Sequence, residues 1–126
     1  LLVGTPYRRF GRTPGQGLDC VGLVIAIGAS LNIVLHSPDF YRIATSADQL
    51  IAWTRVSGLV QIEEVWSPGT VVVVQKSRVS HFVIAMPDNS IVEARNDVGV
   101  CRVVYTARPE THVAVGAFAF PEEERS

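Results

Sequence analysis

Apolar and polar positions along the chain fall into two regimes. Residues 20–31, "CVGLVIAIGASL", are apolar nearly all round, which predicts a helix over about 20–32 that is buried on most sides. Asp19 stands just before it, where a carboxylate can accept from the orphan N–H groups of the first turn, so Asp19 is the expected N-cap. A second helix fits 46–57, "SADQLIAWTRVS", with Ser46 and Gln49 at capping-box spacing. From residue 70 the pattern becomes that of strands. "TVVVVQK" (70–76) is β-branched and follows the turn signal "SPG". "HFVIAM" (81–86) and "IVEAR" (91–95) flank "PDNS" as a hairpin, and "VCRVVY" (100–105) and "HVAVGAFAF" (112–120) are expected to complete a meander. Residues 1–19 read as a loop rich in Gly and Pro, 33–45 as irregular around Pro38, and "PEEERS" as a solvated tail. Helices first and strands after predict an α+β fold, with N-terminal helices packed on an antiparallel sheet of about five or six strands.

Length and charge narrow this picture without redirecting it. A chain of 126 residues suits one domain over 1–126 and buries roughly two thirds of its unfolded surface, so its core needs no disulfide or metal. Hydrophobic residues at 48% against 18% charged exclude a disordered chain. A net charge of −1 leaves no basic footprint for nucleic acid, and no Lys/Arg cluster marks a membrane surface. No apolar run approaches the ~20 residues that insertion across a bilayer requires. Residues 1–19 carry Arg8, Arg9 and Arg12 among Gly and Pro and do not read as a signal peptide. Two cysteines make no disulfide framework.

One of those cysteines changes the reading. A lone cysteine is most often a small buried apolar residue, and Cys101, inside a strand pattern, is read that way. Cys20 instead opens a helix, against the positive end of its macrodipole, where a thiol pKa can fall from about 8.5 into the range ~3.5–7.5. Gly15, Gly17 and Gly22 are expected to keep its surroundings open, whereas Asp19 opposes ionisation unless its carboxylate turns back into the helix start. A thiolate needs a base. His36 lies in a loop, and His81 and His112 both open strands. His81 has an acidic partner at hairpin distance, Glu93, and an odd number of loop residues would put both side chains on one face. His112 has only the terminal glutamates downstream, so His81 is the preferred base.

With these residues in place, "GTPYRRFGRTPGQGLDCVGLV" resembles the nucleophile segment of the NlpC family of cell-wall cysteine peptidases, which have a papain-like fold. "SPGTVVVV", "SHFVIAM" and "SIVEAR" resemble, in the right order, the strand before the histidine, the histidine strand and the strand of the third polar residue. The wording around the cysteine is most similar to the phage-tail and prophage branch, including relatives in gene transfer agents. The resemblance implies Cys20 as nucleophile, His81 as general base and Glu93 as the residue orienting the imidazole. It further implies Tyr7 as an oxyanion donor and Asp19 as a contributor to the substrate subsite.

The implied reaction is hydrolysis of an amide in a peptidoglycan stem peptide, at the bond from γ-D-glutamyl to a diamino acid, without metal or cofactor. The implied setting is a phage tail or prophage product acting at the cell wall, with other tail proteins as further partners. Three positions depart from the family pattern: Glu93 where histidine is common, Val21 where serine often follows the nucleophile, and Thr70 where "PGD" is usual. These departures keep a second reading open, a catalytically degenerate tail-assembly module on the same fold. Lipid acyl transfer or deamidation would call for a long apolar channel that the sequence does not offer. A small non-catalytic thiol domain would leave the ordered Cys–His–Glu set unexplained.

Overall fold

In a computed structural model of the chain, residues 2–36, 47–76, 79–87, 90–95, 99–104 and 113–121 are described. Ser46 of the expected capping box, His112, most of the irregular 33–45 stretch and residues 122–126 of the tail lie outside them. The elements are β1 (Arg12–Thr13), β2 (Gly17–Leu18), α1 (Cys20–Ser30), α2 (Ala47–Ser57), β3 (Val60–Gln61), β4 (Val71–Lys76), β5 (Val79–Ala85), β6 (Ser90–Arg95), β7 (Gly99–Val104) and β8 (Val113–Ala119). Two helices pack on one six-stranded antiparallel sheet of order β3-β8-β4-β5-β6-β7, and β1 and β2 form a separate small hairpin. The α+β architecture follows the expectation. The hairpin lies within a stretch read as loop.

The meander is only partly realised. β4 through β7 run as consecutive neighbours, but β8 returns to pair with β4. The four valines of β4 show why. Val71 to Val74 are all fully buried, so both faces of this strand are covered and it must be central, with a neighbour on each edge. An unbroken apolar run, with no alternation, is the mark of such a strand. β5 occupies one edge and β8 the other, with a bulge between Val73 and Val74 that shifts the β8 register. The turn into β4 is set by Ser67-Pro68-Gly69-Thr70. Thr70 N–H donates to the Ser67 carbonyl at 3.1 Å, and Gly69 takes φ 86°, which fits a type II turn. Thr70 is buried, with its hydroxyl 2.8 Å from that of Ser67, so this departure from the family pattern is a turn-stabilising pair.

The sheet divides the core in two. On the helix side, Val71, Val73, Phe82, Ile84, Val92 and Ala94 pack with Leu18, Cys20, Val21, Leu23 and Val24. Trp53 of α2 joins them, its ring 5.6 Å from that of Phe82. On the other side Val72, Val74, Val83, Ala85 and Ile91 pack with Val65 and Trp66. α1 is less buried than its composition predicts. Its first turn and a half is sealed in, while Ala29 and Ser30 are exposed. It also stops earlier, at Ser30. Asn32 adopts φ 62°, and the bonds Ile33 N–H to Gly28 O (2.8 Å) and Asn32 N–H to Ala29 O (3.0 Å) complete a Schellman ending.

Candidate active site

The entry to α1 is fixed by hydrogen bonds that are short in sequence. Asp19 is fully buried, and its carboxylate accepts from Gly22 N–H at 2.8 Å, making it the N-cap as the sequence predicts. It also accepts from Phe10 N–H at 2.9 Å and from the Arg12 guanidinium at 2.8 Å. The carboxylate therefore does turn back into the helix start, and a cation stands against it. The Phe10 contact accompanies an uncommon backbone geometry, φ 63° in a residue with a side chain.

Glycine serves here in a different way from that expected. A Cβ on Gly22 would overlap the Gly11 carbonyl oxygen, and one on Gly17 would meet the Arg8 side chain. These glycines let the 8–17 loop lie against the helix start; they close space around it. Gly15 alone has open space beside it. Val21 is 1% exposed within the helix-side core, so its side chain packs and presents no surface to a substrate.

Cys20 follows the cap, carries a thiol and is 9% exposed. Tyr7 comes beside it because residues 6–8 run along Leu18, through Leu18 N–H to Pro6 O (3.0 Å) and Arg8 N–H to Leu18 O (3.2 Å). Burial raises the Tyr7 phenol above its usual 10.0. The nearby Cys20 and Asp19 charges raise it further, and Arg9 pulls it back. The hydroxyl is thus held as a donor, within electrostatic reach of the thiol.

The same loop anchors this corner to one end of the sheet. Gly4 N–H donates to Val100 O (2.9 Å) and Val100 N–H to Thr5 O (2.8 Å), where β7 begins. β6 ends at that level, since Arg95 pairs with Gly99. β5 begins there too, because the Ile84–Val92 register brings residue 81 level with residue 95. Cys20, His81 and Glu93 therefore come to the same end of the sheet, and α1 packs on β5 and β6, the strands of the latter two.

His81 and Glu93 satisfy the parity expected of them. Ala85 pairs with Ile91, so residues 86–90, five in number, separate the strands and equal parity means one face. Glu93 is buried at 1% exposure and His81 is partly buried. The Nε2 of His81 and the Oε2 of Glu93 are both withdrawn from solvent. His81 stands opposite Val74, and Glu93 shares the parity of Ile91, both valine and isoleucine belonging to the second cluster. Phe82, Ile84, Val92 and Ala94, packed with Cys20, have the other parity.

One feature of the sheet bears on this division. β5 and β6 pair only at Ile84–Val92 and Ala85–Ile91, whereas β6 and β7 pair along all six residues of β6. The ladder stops before the level of Val83 and Glu93.

Sequence reasoning named Tyr7, Asp19, Cys20, His81 and Glu93 as candidates but missed Arg12 and Phe10 as partners of the Asp19 carboxylate. The available signal was a basic residue seven positions before a predicted N-cap; "RRFGR" has no periodicity to mark it. No family model and no curated protein matches the chain, so what this corner does is argued from its geometry and from the resemblance of its motifs.

Proposed function

We propose that the protein is a papain-like cysteine peptidase of NlpC type that hydrolyses an amide bond in peptidoglycan stem peptides, between γ-D-glutamyl and a diamino acid. It works in a phage-tail or prophage setting, at the cell wall and alongside other tail proteins. The observation that carries the reading is the shared sheet end. Supporting it are a capped helix start with Cys20 and a protonated Tyr7, tied by the N-terminal loop to the start of β7, and His81 near the start of β5 and Glu93 near the end of β6, at the same end of the sheet.

In this mechanism the Cys20 thiolate adds to the amide carbon. The Tyr7 hydroxyl and the Cys20 N–H donate to the oxyanion. His81 gives its proton to the leaving amine as the C–N bond breaks and the thioester remains. His81 then takes a proton from water, the hydroxyl adds to the thioester carbon, and the C–S bond breaks to return the thiolate. Glu93 holds the imidazole and its positive charge.

The non-catalytic tail-assembly reading is favoured by one observation: His81 and Glu93 share strand parity with Val74 and Ile91 of the second cluster, and not with Phe82 and Val92, which pack with Cys20. Incubation with purified muropeptides separates the two. The peptidase reading expects new amine termini with the wild type and none above background with Cys20→Ala or His81→Ala. Equal release by all three proteins, or no release by any, rejects it.

A further inference from the structure

We propose that Arg12 is a positioning residue for Cys20: its guanidinium offsets the buried Asp19 carboxylate and so leaves the positive end of α1 to the thiol. The inference rests on the nucleophile reading of Cys20. Asp19 is the residue next to the thiol and is fully buried, so little solvent screens its charge. Two of its partners, Gly22 N–H and Phe10 N–H, are neutral. Arg12 alone among the partners the structure gives it carries a full opposite charge, at 2.8 Å, and the same Nη1 also donates to the Gly11 carbonyl at 2.9 Å.

That second bond matters for specificity. Gly11 is the residue whose carbonyl lies against Gly22, so one guanidinium nitrogen ties the loop to the carboxylate at the helix start. The field of this carboxylate reaches the site, since it acts on the Tyr7 phenol in the same sense as Cys20 does. The charged and titratable groups on the elements around the helix start are Tyr7, Arg8, Arg9 and Arg12 on the N-terminal loop and hairpin, Asp19 at the cap, His81 on β5 and Glu93 on β6. Among them only the Arg12–Asp19 pair can be neutralised member by member without touching a group given a chemical step.

The test is the pH dependence of Cys20 alkylation by iodoacetamide, in full-length protein with Cys101→Ser so that one thiol reports. Arg12→Gln keeps a hydrogen-bond donor and removes the charge; it should move the thiolate titration up by about one pH unit, an approximately tenfold loss of rate below it. Arg12→Lys should stay near the reference. Asp19→Asn, which preserves an N-cap, should move the titration down, and the Arg12→Gln/Asp19→Asn double variant should return it near the reference. That order is a signature of charge, and a purely structural role would not produce it. If Arg12→Gln does not fold, the Asp19→Asn, reference and double-variant order still decides. Equal profiles across the set, or Gln and Lys shifting alike, overturn the proposal. Because the readout is thiol ionisation, muropeptide hydrolysis can fail while this order holds, and the two failures remain distinct.

Discussion

The start of α1 and the β5–β6 strand pair both carry candidate chemistry, and they are held by opposite means. At the helix start every determinant is near in sequence: Phe10, Arg12 and Gly22 reach Asp19 across nine, seven and three residues. At the strand pair the positions of His81 and Glu93 depend on register with β4, β6 and β7. The local corner is over-determined, with three donors on one carboxylate, Gly22 admitting the Gly11 carbonyl and Gly17 the Arg8 side chain. The strand pair is held by less, with two ladder rungs between β5 and β6. The proposed reaction would join a nucleophile of the first kind to a base of the second, a locally fixed partner to one placed by strand register.

The largest expected effect comes from breaking the rigid side. Gly22→Ala forces a methyl group into the Gly11 carbonyl, and neither backbone can yield without displacing the Asp19 cap. Overpacking against backbone is expected to cost about 3 kcal/mol, measured by urea unfolding. An unchanged midpoint would mean that the loop can lift away, and the contrast between a fixed corner and a yielding strand pair would lose its basis.

Next comes the point where the β5–β6 ladder stops. Two cysteine pairs probe it in a Cys20→Ala/Cys101→Ser background: Ala85→Cys with Ile91→Cys at a ladder rung, and Val83→Cys with Glu93→Cys one step beyond the last one. Disulfides need Cα atoms within roughly 4.4–6.8 Å, so the first pair should oxidise readily and the second more slowly. Equal oxidation of both would mean that the strands keep their spacing beyond the last rung, and the contrast with the helix start would weaken.

How much of this could be read from sequence follows the same division. Asp19 as cap was legible because capping is a three-residue matter. The shared face of His81 and Glu93 was legible as a condition on loop length, and five loop residues meet it. Which face that is was not legible, because it depends on where α1 packs, and no local pattern records that. The return of β8 to β4 was hidden for a related reason: "TVVVVQK" announces a strand buried on both sides without naming its second neighbour. Gly22 was misread in function. A glycine next to a reactive residue looks like open space, and only the fold shows that Gly11 fills it.

The smallest expected effect tests whether the Tyr7 loop and the start of α1 share one electrostatic environment. The Tyr7 phenol is raised chiefly by burial, then by Cys20 and then by Asp19. Cys20→Ala removes the second cause and leaves the first, so the Tyr7 titration, followed by phenolate absorbance against Tyr7→Phe, should move down and stay above the ordinary value. The sign for stability follows from linkage. The unfolded chain loses its Tyr7 proton first, so the stability tied to this residue is complete below the ordinary tyrosine pKa and is lost as pH rises through the raised one. Cys20→Ala should therefore lose less stability than the wild type in that alkaline window. If Tyr7 titrates identically in both proteins, its hydroxyl is out of reach of the thiol and cannot serve the oxyanion. A normal phenol in the folded wild type would go further, since it would remove the burial that holds Tyr7 as a donor.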